Sequence, residues 1–326
     1  MDRVKRSVIT GVGGHLPSEV VTNDDLARIV ETSDAWIRER TGIQTRRRAA
    51  KGEATSDLAV EAARRALEAA GRRPAEIDLI VVATTTPDLT FPATATIVQR
   101  KLGAPIGIAF DVQAVCSGFV YALAVADSFL AREMARRALV IGAETMSRLM
   151  DWTDRGTCVL FGDGAGAAVL EAADGAGGSG DRGVLSVALR ADGAKQDLLY
   201  VDGGPSTTGE VGKLRMQGSQ VFRHAVINIA EAVHAAADMA GVAMGDVDWF
   251  IPHQANQRIL DGVAKRLGID PERVISTVAD HANTSAASIP LALAQGLEDG
   301  RIRPGQLILM EAMGGGLTWG AAVVRL

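Results

Sequence analysis

What is scarce in this sequence narrows its class before any motif is read. The 326 residues hold two cysteines, Cys116 and Cys158, so no disulfide framework is available and a reducing cytoplasm is the expected setting. Aromatic residues make up 4% of the chain although 47% of it is hydrophobic, so the core has to be packed mainly with Ala, Val, Leu and Ile. No run of about 18 consecutive apolar residues occurs, so no membrane span is expected. The segment Met1 to Arg6 carries charge with no apolar stretch behind it, since Gly11, Gly13, Gly14 and Pro17 interrupt, and it does not read as a signal peptide. Excess charge is small as well. The formal net charge of −5 lacks the strongly basic footprint of a nucleic-acid binder.

What is present alternates short apolar runs with alanine-rich helical stretches. Leu79 to Ala83, Ala138 to Ile141 and Leu307 to Met310 read as buried strands covered on both faces. Ser56 to Ala70 reads as a helix with a small-residue stripe of Leu58, Ala62, Ala63, Ala66 and Ala70, stopped by Gly71. Alternation of this kind predicts an α/β fold. An internal repeat refines it. Asp78 and Asp248, Gly103 and Gly268, and Cys116 and Asn283 are separated by 170, 165 and 167 residues, and each pair occupies the same place in a helix–loop–strand series. Two halves of one architecture follow, with a seam read as loop from Glu171 to Gly183.

Cys116 follows the strand-like run Ile108 to Val112 and opens an apolar helix, Ser117 to Leu130. The positive end of a helix dipole stabilises a thiolate, which makes Cys116 a candidate nucleophile; a small buried core residue is the other reading. Gly118 leaves room for close approach. Cys158, in a run read as strand from Thr157 to Phe161, is assigned to the core. Among five histidines, His224 and His234 fall on a helix from Ser219 to Ala240, and His15 in a glycine-rich turn. His253 ends the strand Trp249 to Ile251, where sites of α/β sheets assemble, and His281 and Asn283 precede an equivalent edge. A histidine N–H and an asparagine amide are two donors suited to an oxygen that gains negative charge, which favours acyl-thioester chemistry over simple hydrolysis.

Two glycine-rich segments lack the features of a dinucleotide site. Gly11 to Leu16 runs into Pro17 instead of a helix, and Gly162 to Gly166 reads as a turn or bulge between strands. Gly314 to Gly316 is placed to offer bare backbone N–H groups. Arg46, Arg47 and Arg48 read as solvated surface. Arg258 and Lys265 share one face of a helix after His253, opposite Ile259, Val263 and Leu267, beside Arg266. That basic face suits an acidic partner or phosphates.

With these residues assembled, the sequence resembles the β-ketoacyl-[acyl carrier protein] synthase III family from about Ser7 to Leu326. The resemblance is carried by Thr32 to Ile37 with Arg40 to Ile43, Val115 to Phe119, Thr153 to Thr157, Phe161 to Ala167, His253 to Asn256, Asn283 to Ser285 and Gly314 to Gly320. It implies a thiolase-like fold of two pseudo-symmetric halves in five α-β-α-β-α layers, residues 1–175 carrying Cys116 and 176–326 carrying His253 and Asn283, as a homodimer. It implies a cytoplasmic acyltransferase that starts fatty acid synthesis, with no cofactor or metal because acyl-CoA is a substrate. By the same resemblance Cys116 takes the acyl group, typically acetyl. His253 and Asn283 bind the malonyl thioester oxygen of malonyl-acyl carrier protein as CO2 leaves. Gly315 and the Cys116 N–H form the oxyanion hole. Trp36 and Arg155 sandwich the CoA adenine, with Thr32, Arg40, Gly218, Phe222 and Asn256 along the CoA channel. Arg223, Arg258, Lys265 and Arg266 meet the carrier protein, and Phe91 reaches across a dimer to shape the acyl pocket. Met313 stands where some members place Phe; a more adaptable side chain there leaves starter preference open. The alternatives kept at this point are an acyltransferase of a polyketide or secondary-metabolite pathway, a papain-like cysteine hydrolase, and a non-catalytic scaffold.

Overall fold

Apolar strands that need cover on both faces dictate a layered molecule, and the computed structural model, which describes residues 4–326, has that form. Residues 1–3, part of the opening segment read above, lie outside the described ones. The chain begins with β1 (Val4–His15), β2 (Glu19–Thr22), α1 (Asn23–Leu26), α2 (Asp34–Thr41) and β3 (Thr45–Arg48). There follow α3 (Thr55–Ala70), β4 (Leu79–Ala83), α4 (Thr94–Leu102), β5 (Ile108–Val112), α5 (Gly118–Ala131), β6 (Arg137–Thr145), α6 (Arg155–Cys158) and β7 (Asp163–Gly175). β8 (Gly183–Ala191), β9 (Leu199–Val201) and β10 (Leu214–Met216) lead to α7 (Gly218–Ala240), β11 (Trp249–Pro252), α8 (Gln257–Leu267) and α9 (Val278–His281). The chain closes with α10 (Ser288–Glu298), β12 (Leu307–Gly314) and β13 (Thr318–Arg325).

The first sheet has the order β1-β7-β6-β4-β5 and the second β11-β12-β13-β8. In the first, β4 runs parallel to β5 and β6, with Leu79 opposite Ile108 and Ala138, while β7 and β1 run antiparallel. In the second, β11 runs parallel to β12, and β13 and β8 are antiparallel. β4, β6, β7 and β1 thus correspond to β11, β12, β13 and β8. The counterpart of β5 shrinks to a parallel bridge between Phe250 and Val274. Helices α3 and α4 cover the outer face of the first sheet, α5 and α10 lie between the sheets, and α7 with α8 covers the second. That is the five-layered arrangement expected.

Burial follows from these layers. Helix α5, between the sheets, buries Phe119, Leu123, Ala126 and Leu130 and leaves Asp127 half-buried and Ser128 exposed near its end. Outer helix α3 buries the Leu58, Ala62, Ala63, Ala66 stripe and exposes Arg64, Arg65 and Glu68. Full burial of Leu58 contributes roughly 1.5–3 kcal/mol. Gly71 ends the helix with φ +62°, as its position predicted.

Four local readings need correction. Gly11 to His15 is not a turn but the end of β1; a Cβ on Gly11 or Gly13 would come within 2.4 Å of the α3 backbone at Ala66 or Ala70. Their glycines let strand and helix touch. Asp163 to Gly166 is likewise strand, the start of β7, where a Cβ on Gly166 would lie 2.7 Å from Leu291 N. The run before it is not strand: Cys158 ends α6, a short helix whose N-cap Asp154 accepts from Gly156 N–H, although Cys158 is core as expected. The seam is shorter than predicted, because residues 171–175 stay paired with β1.

The arginine run also differs. Arg46 is 2% exposed, its guanidinium donating to Val21 O, Asn23 Oδ1 and Val159 O. Alternation along β3 turns it inward, and three acceptors replace water. No helix among the described residues is long and apolar enough to cross a membrane.

Candidate active site

Two strained turns meet at the centre of the molecule. After β5 the chain enters the single turn Val115–Ser117, with Val115 at φ +49°, a costly conformation for a β-branched residue. The surrounding hydrogen bonds hold it there. Ser117 Oγ donates to Ala114 O at 2.7 Å, and Thr318 Oγ1 stands 2.8 Å from Ser117 Oγ and 3.0 Å from Ala114 O. The other half repeats the device at Ser285–Ala287, with Ser285 at φ +50°. Glycine permits the contact between them. A Cβ on Gly118 would lie 3.1 Å from that of Ala83 and 3.2 Å from that of Ala286, and one on Gly142 would lie 2.2 Å from Ala286 O.

His253 stands just past β11, its N–H donating to Glu311 O at 2.8 Å. Its Nδ1 lies 2.7 Å from Ser288 Oγ, and Gln254 N–H reaches the same oxygen at 3.4 Å. A hydroxyl that accepts from Gln254 can give its own hydrogen to Nδ1. In that arrangement the ring carries its hydrogen on Nε2 and offers it to the cavity. Burial drives the pKa of His253 down to about 3, so the ring is neutral at neutral pH. Asn283 is fixed by its N–H donating to Leu160 O and its Oδ1 accepting from Ser285 N–H at 2.9 Å. Its Nδ2 hydrogens remain for the cavity. Both polar groups can then serve the cavity as donors.

Cys116, His253 and Asn283 line one cavity of about 340 Å³. Cys116 is 3% exposed, and burial pushes its thiol up to about 12. The expectation of a thiolate stabilised by the α5 dipole is thereby reversed. Enclosure of the sulfur disfavours its charged form by more than a helix end, worth roughly 0.3–2 kcal/mol, returns. The resting group is the thiol.

The cavity gathers many of the other candidates. Trp36, Arg40, Gly218, Phe222, Asn256, Arg258 and Met313 line it. The guanidinium carbons of Arg40 and Arg155 stand 4.6 and 4.7 Å from the Trp36 ring centroid, so Arg155 already occupies stacking distance. Asn256 also caps α8, its Oδ1 accepting from Ile259 N–H. Thr32, half-buried with an unpartnered hydroxyl, is not in the lining, nor are Arg155, Arg223, Lys265 and Arg266, the last three exposed on α7 and α8. Gly315 is outside it too: a Cβ there would meet Leu199 O at 2.6 Å, whereas one on Gly314 would lie 2.6 Å from Cys116 N. Phe91 is 83% exposed, away from the cavity. His281 is half-buried and outside it, with a pKa lowered to about 4 by burial.

Sequence reasoning passed over Ser117, Ser288, Thr318 and Glu311. The hydroxyls carry no periodic signal. Glu311 carries a faint one, as a lone carboxylate in the apolar run that ends at Gly314.

Comparison with known proteins shows the family. The family model "3-Oxoacyl-[acyl-carrier-protein (ACP)] synthase III" matches residues 110–193, and that for the C-terminal part of the same family matches residues 237–326. Beta-ketoacyl-[acyl-carrier-protein] synthase III of Caulobacter vibrioides is 74% identical over 98% of this chain and 100% of its own length. The protein of that name from Rhodospirillum rubrum is 66% identical over 98% of this chain and 99% of its own. Among solved structures, 3-oxoacyl-[acyl-carrier-protein] synthase III from Aquifex aeolicus superposes with a TM-score of 0.92 at 46% identity, covering 98% of this chain and 100% of that one. The priming β-ketosynthase of the R1128 polyketide pathway gives a TM-score of 0.93 at 35% identity, covering 100% of this chain and 98% of that one. The chain therefore belongs to the β-ketoacyl-[acyl carrier protein] synthase III family, thiolase-fold condensing enzymes that initiate fatty acid synthesis.

Proposed function

We propose that Cys116 takes an acyl group from acyl-CoA and that His253 and Asn283 then bind the thioester oxygen of malonyl-acyl carrier protein while it decarboxylates. The observation that carries this reading is the convergence of the three side chains on one cavity from both halves. In the first half-reaction Cys116 Sγ attacks the acyl carbonyl, the C–S bond to CoA breaks, and the thiol proton leaves with CoA. In the second, the malonyl C–C bond breaks and its electron pair is held as an enolate by the His253 Nε2–H and the Asn283 amide. The enolate carbon attacks the acyl-Cys116 carbonyl, and 3-oxoacyl-acyl carrier protein, CO2 and the free cysteine result. A neutral imidazole suits this role, because a donor that never titrates near neutral pH keeps one hydrogen on Nε2. The backbone N–H of Cys116, with the adjoining Gly314–Gly315 backbone, receives the oxyanion of each thioester attack.

Trp36 and Arg155 hold the CoA adenine, for which Arg155 has to swing off the Trp36 ring to open a slot two stacking distances wide, and Arg40 lies along the channel. Thr32, Gly218, Phe222 and Asn256 border the remaining path. The exposed Arg223, Arg258, Lys265 and Arg266 form the face offered to the acidic carrier protein, a reading supported by their exposure on α7 and α8 and by Arg258 lining the cavity. Met313 bounds the acyl end. This chemistry calls for no cofactor or metal. A cytoplasmic homodimer fits two buried free thiols and the outer edge of β5, unpaired among the described residues and close in sequence to exposed Ile106; exposed Phe91 would cross to the partner's pocket. Residues 1–175 and 176–326 are taken as the two halves, the crossing at 176–182 joining β7 to β8. The primary fatty-acid role is preferred to a polyketide one on identities of 74% and 66% against 35%.

The test is intact-mass analysis after incubation with acetyl-CoA, followed by CO2 release from malonyl-acyl carrier protein. The wild-type chain acquires one acetyl group and C116A none. H253A and N283A acquire it but release CO2 at least about 100-fold more slowly. Acetylation of C116A, or none of the wild type, overturns the assignment.

A further inference from the structure

The Cys–His–Asn reading leaves Glu311 without a task, although its carboxyl belongs to the same chamber. Glu311 is 1% exposed, lines the cavity with Cys116, His253 and Asn283, and has its Oε2 buried with no hydrogen-bond partner. Strand alternation puts it there. Met310 and Ala312 face the core between the sheets, while Leu309, Glu311 and Met313 take the opposite face. The main chain locks it beside the catalytic ring, since Glu311 O accepts from His253 N–H at 2.8 Å. A leucine would fill such a seat at lower cost than a carboxyl.

Arg40 and Arg258 share the cavity lining, but neither contributes to the shift of this carboxyl, which has burial as its one cause. Sharing the lining with it are Cys116 from the Val115–Ser117 turn and neutral His253 just past β11, while the other buried carboxyl that acts on Cys116, Glu144 of β6, is held by Thr84, Thr85 and Thr86. β13 offers Trp319 and Ala321 beside it, and α7 turns Val221, Ala225 and Ile229 to the cavity while Arg223, Glu231, His234 and Asp238 point to solvent. Burial alone moves the pKa of Glu311, up to about 8, so the group is a neutral acid at neutral pH.

We propose that Glu311 holds the proton that the condensation returns to Cys116, an inference that rests on the nucleophile assigned above. The balance requires one. Malonyl enters as a carboxylate and leaves that charge behind when CO2 departs. The charge passes to the enolate carbon and, as the new C–C bond forms and the C–S bond to Cys116 breaks, to Sγ. The Glu311 O–H bond then breaks, its proton goes to Sγ, and the carboxylate takes a replacement from solvent after product leaves. A neutral Glu311 also spares the entering malonyl carboxylate a like charge in the same chamber.

Preformed acyl-enzyme mixed with malonyl-acyl carrier protein tests this in a single turnover from pH about 6.5 to about 9.5. The wild-type rate is expected to fall about tenfold per pH unit above about 8. E311Q, neutral but unable to release a proton, is expected to be slower by about 100-fold with that fall removed, and E311D to keep a titrating step. E311Q still gains the acyl mass from acyl-CoA, because that step sends its proton out with CoA. A rate for E311Q within about twofold of wild type with the same pH profile overturns the proposal. Should E311Q not fold, the wild-type and E311D profiles decide, and flat profiles overturn it. Acylation of C116A would instead sink the nucleophile assignment.

Discussion

Replacing Ser288 with alanine separates the tautomer of His253 from everything else in the cavity. The hydroxyl stands 2.7 Å from Nδ1 and is itself approached by Gln254 N–H, an arrangement in which it can give its hydrogen to Nδ1. Ser288 is 1% exposed, and no solvent stands ready to replace it. A hydrogen bond to a buried group left unpaired when broken contributes about 1–3 kcal/mol, all of it here favouring the tautomer with hydrogen on Nε2. At about 1.4 kcal/mol per factor of ten, S288A is expected to lower the decarboxylation rate by about 5- to 150-fold. Acyl transfer to Cys116 does not use the Nε2 hydrogen and is expected to change by less than about twofold. The assay pairs CO2 release from malonyl-acyl carrier protein with the acyl mass on Cys116. Equal losses in the two half-reactions would mean a general distortion, and an unchanged rate of CO2 release would mean that Ser288 does not set the tautomer. Either result refutes the reasoning.

Two further outcomes concern stability. Burial holds the pKa of His253 at about 3 against an ordinary 6.5, so the folded chain binds fewer protons there than the unfolded one; the contribution is intact above about 6.5 and is lost as pH falls toward 3. Between pH about 7 and 5 the wild type should lose about 2 kcal/mol more than H253Q by urea unfolding, the loss from His281 being common to both; equal losses would show that His253 is hydrated. G166A should destabilise by about 1–3 kcal/mol in thermal unfolding, because its Cβ would meet the α10 backbone at 2.7 Å; an unchanged midpoint would mean that α10 moves away freely.

Local pattern determined much of this protein. The apolar run Leu79–Ala83 is strand β4 to the residue, and Ile108–Val112 is β5. Gly71, Gly103, Gly241 and Gly268 all end helices with positive φ, so the repeat read from their spacing is a repeat of structure. Strand and helix periods and glycine stops are short-range properties, which is why they survive in the bare sequence. Cys116, His253 and Asn283 stood out for the same reason, each being a chemically distinctive residue at the end of a legible element.

Tertiary structure decided the rest. Arg46 resembles Arg47 and Arg48 in sequence, yet it is buried because Val159, far along the chain, supplies an acceptor. Gly162 to Gly166 has the composition of a turn, but pairing with β6 and the close approach of α10 make most of it strand. The Cys116 thiol has a helix dipole behind it and is still kept protonated, since burial of the whole turn outweighs the dipole. Ser288 and Glu311 acquire meaning only beside His253, 35 and 58 residues away by the numbering. Periodicity records which face of an element turns inward, whereas hydration and hydrogen-bond partners depend on what other segments bring to that face; those set the protonation states of a buried site.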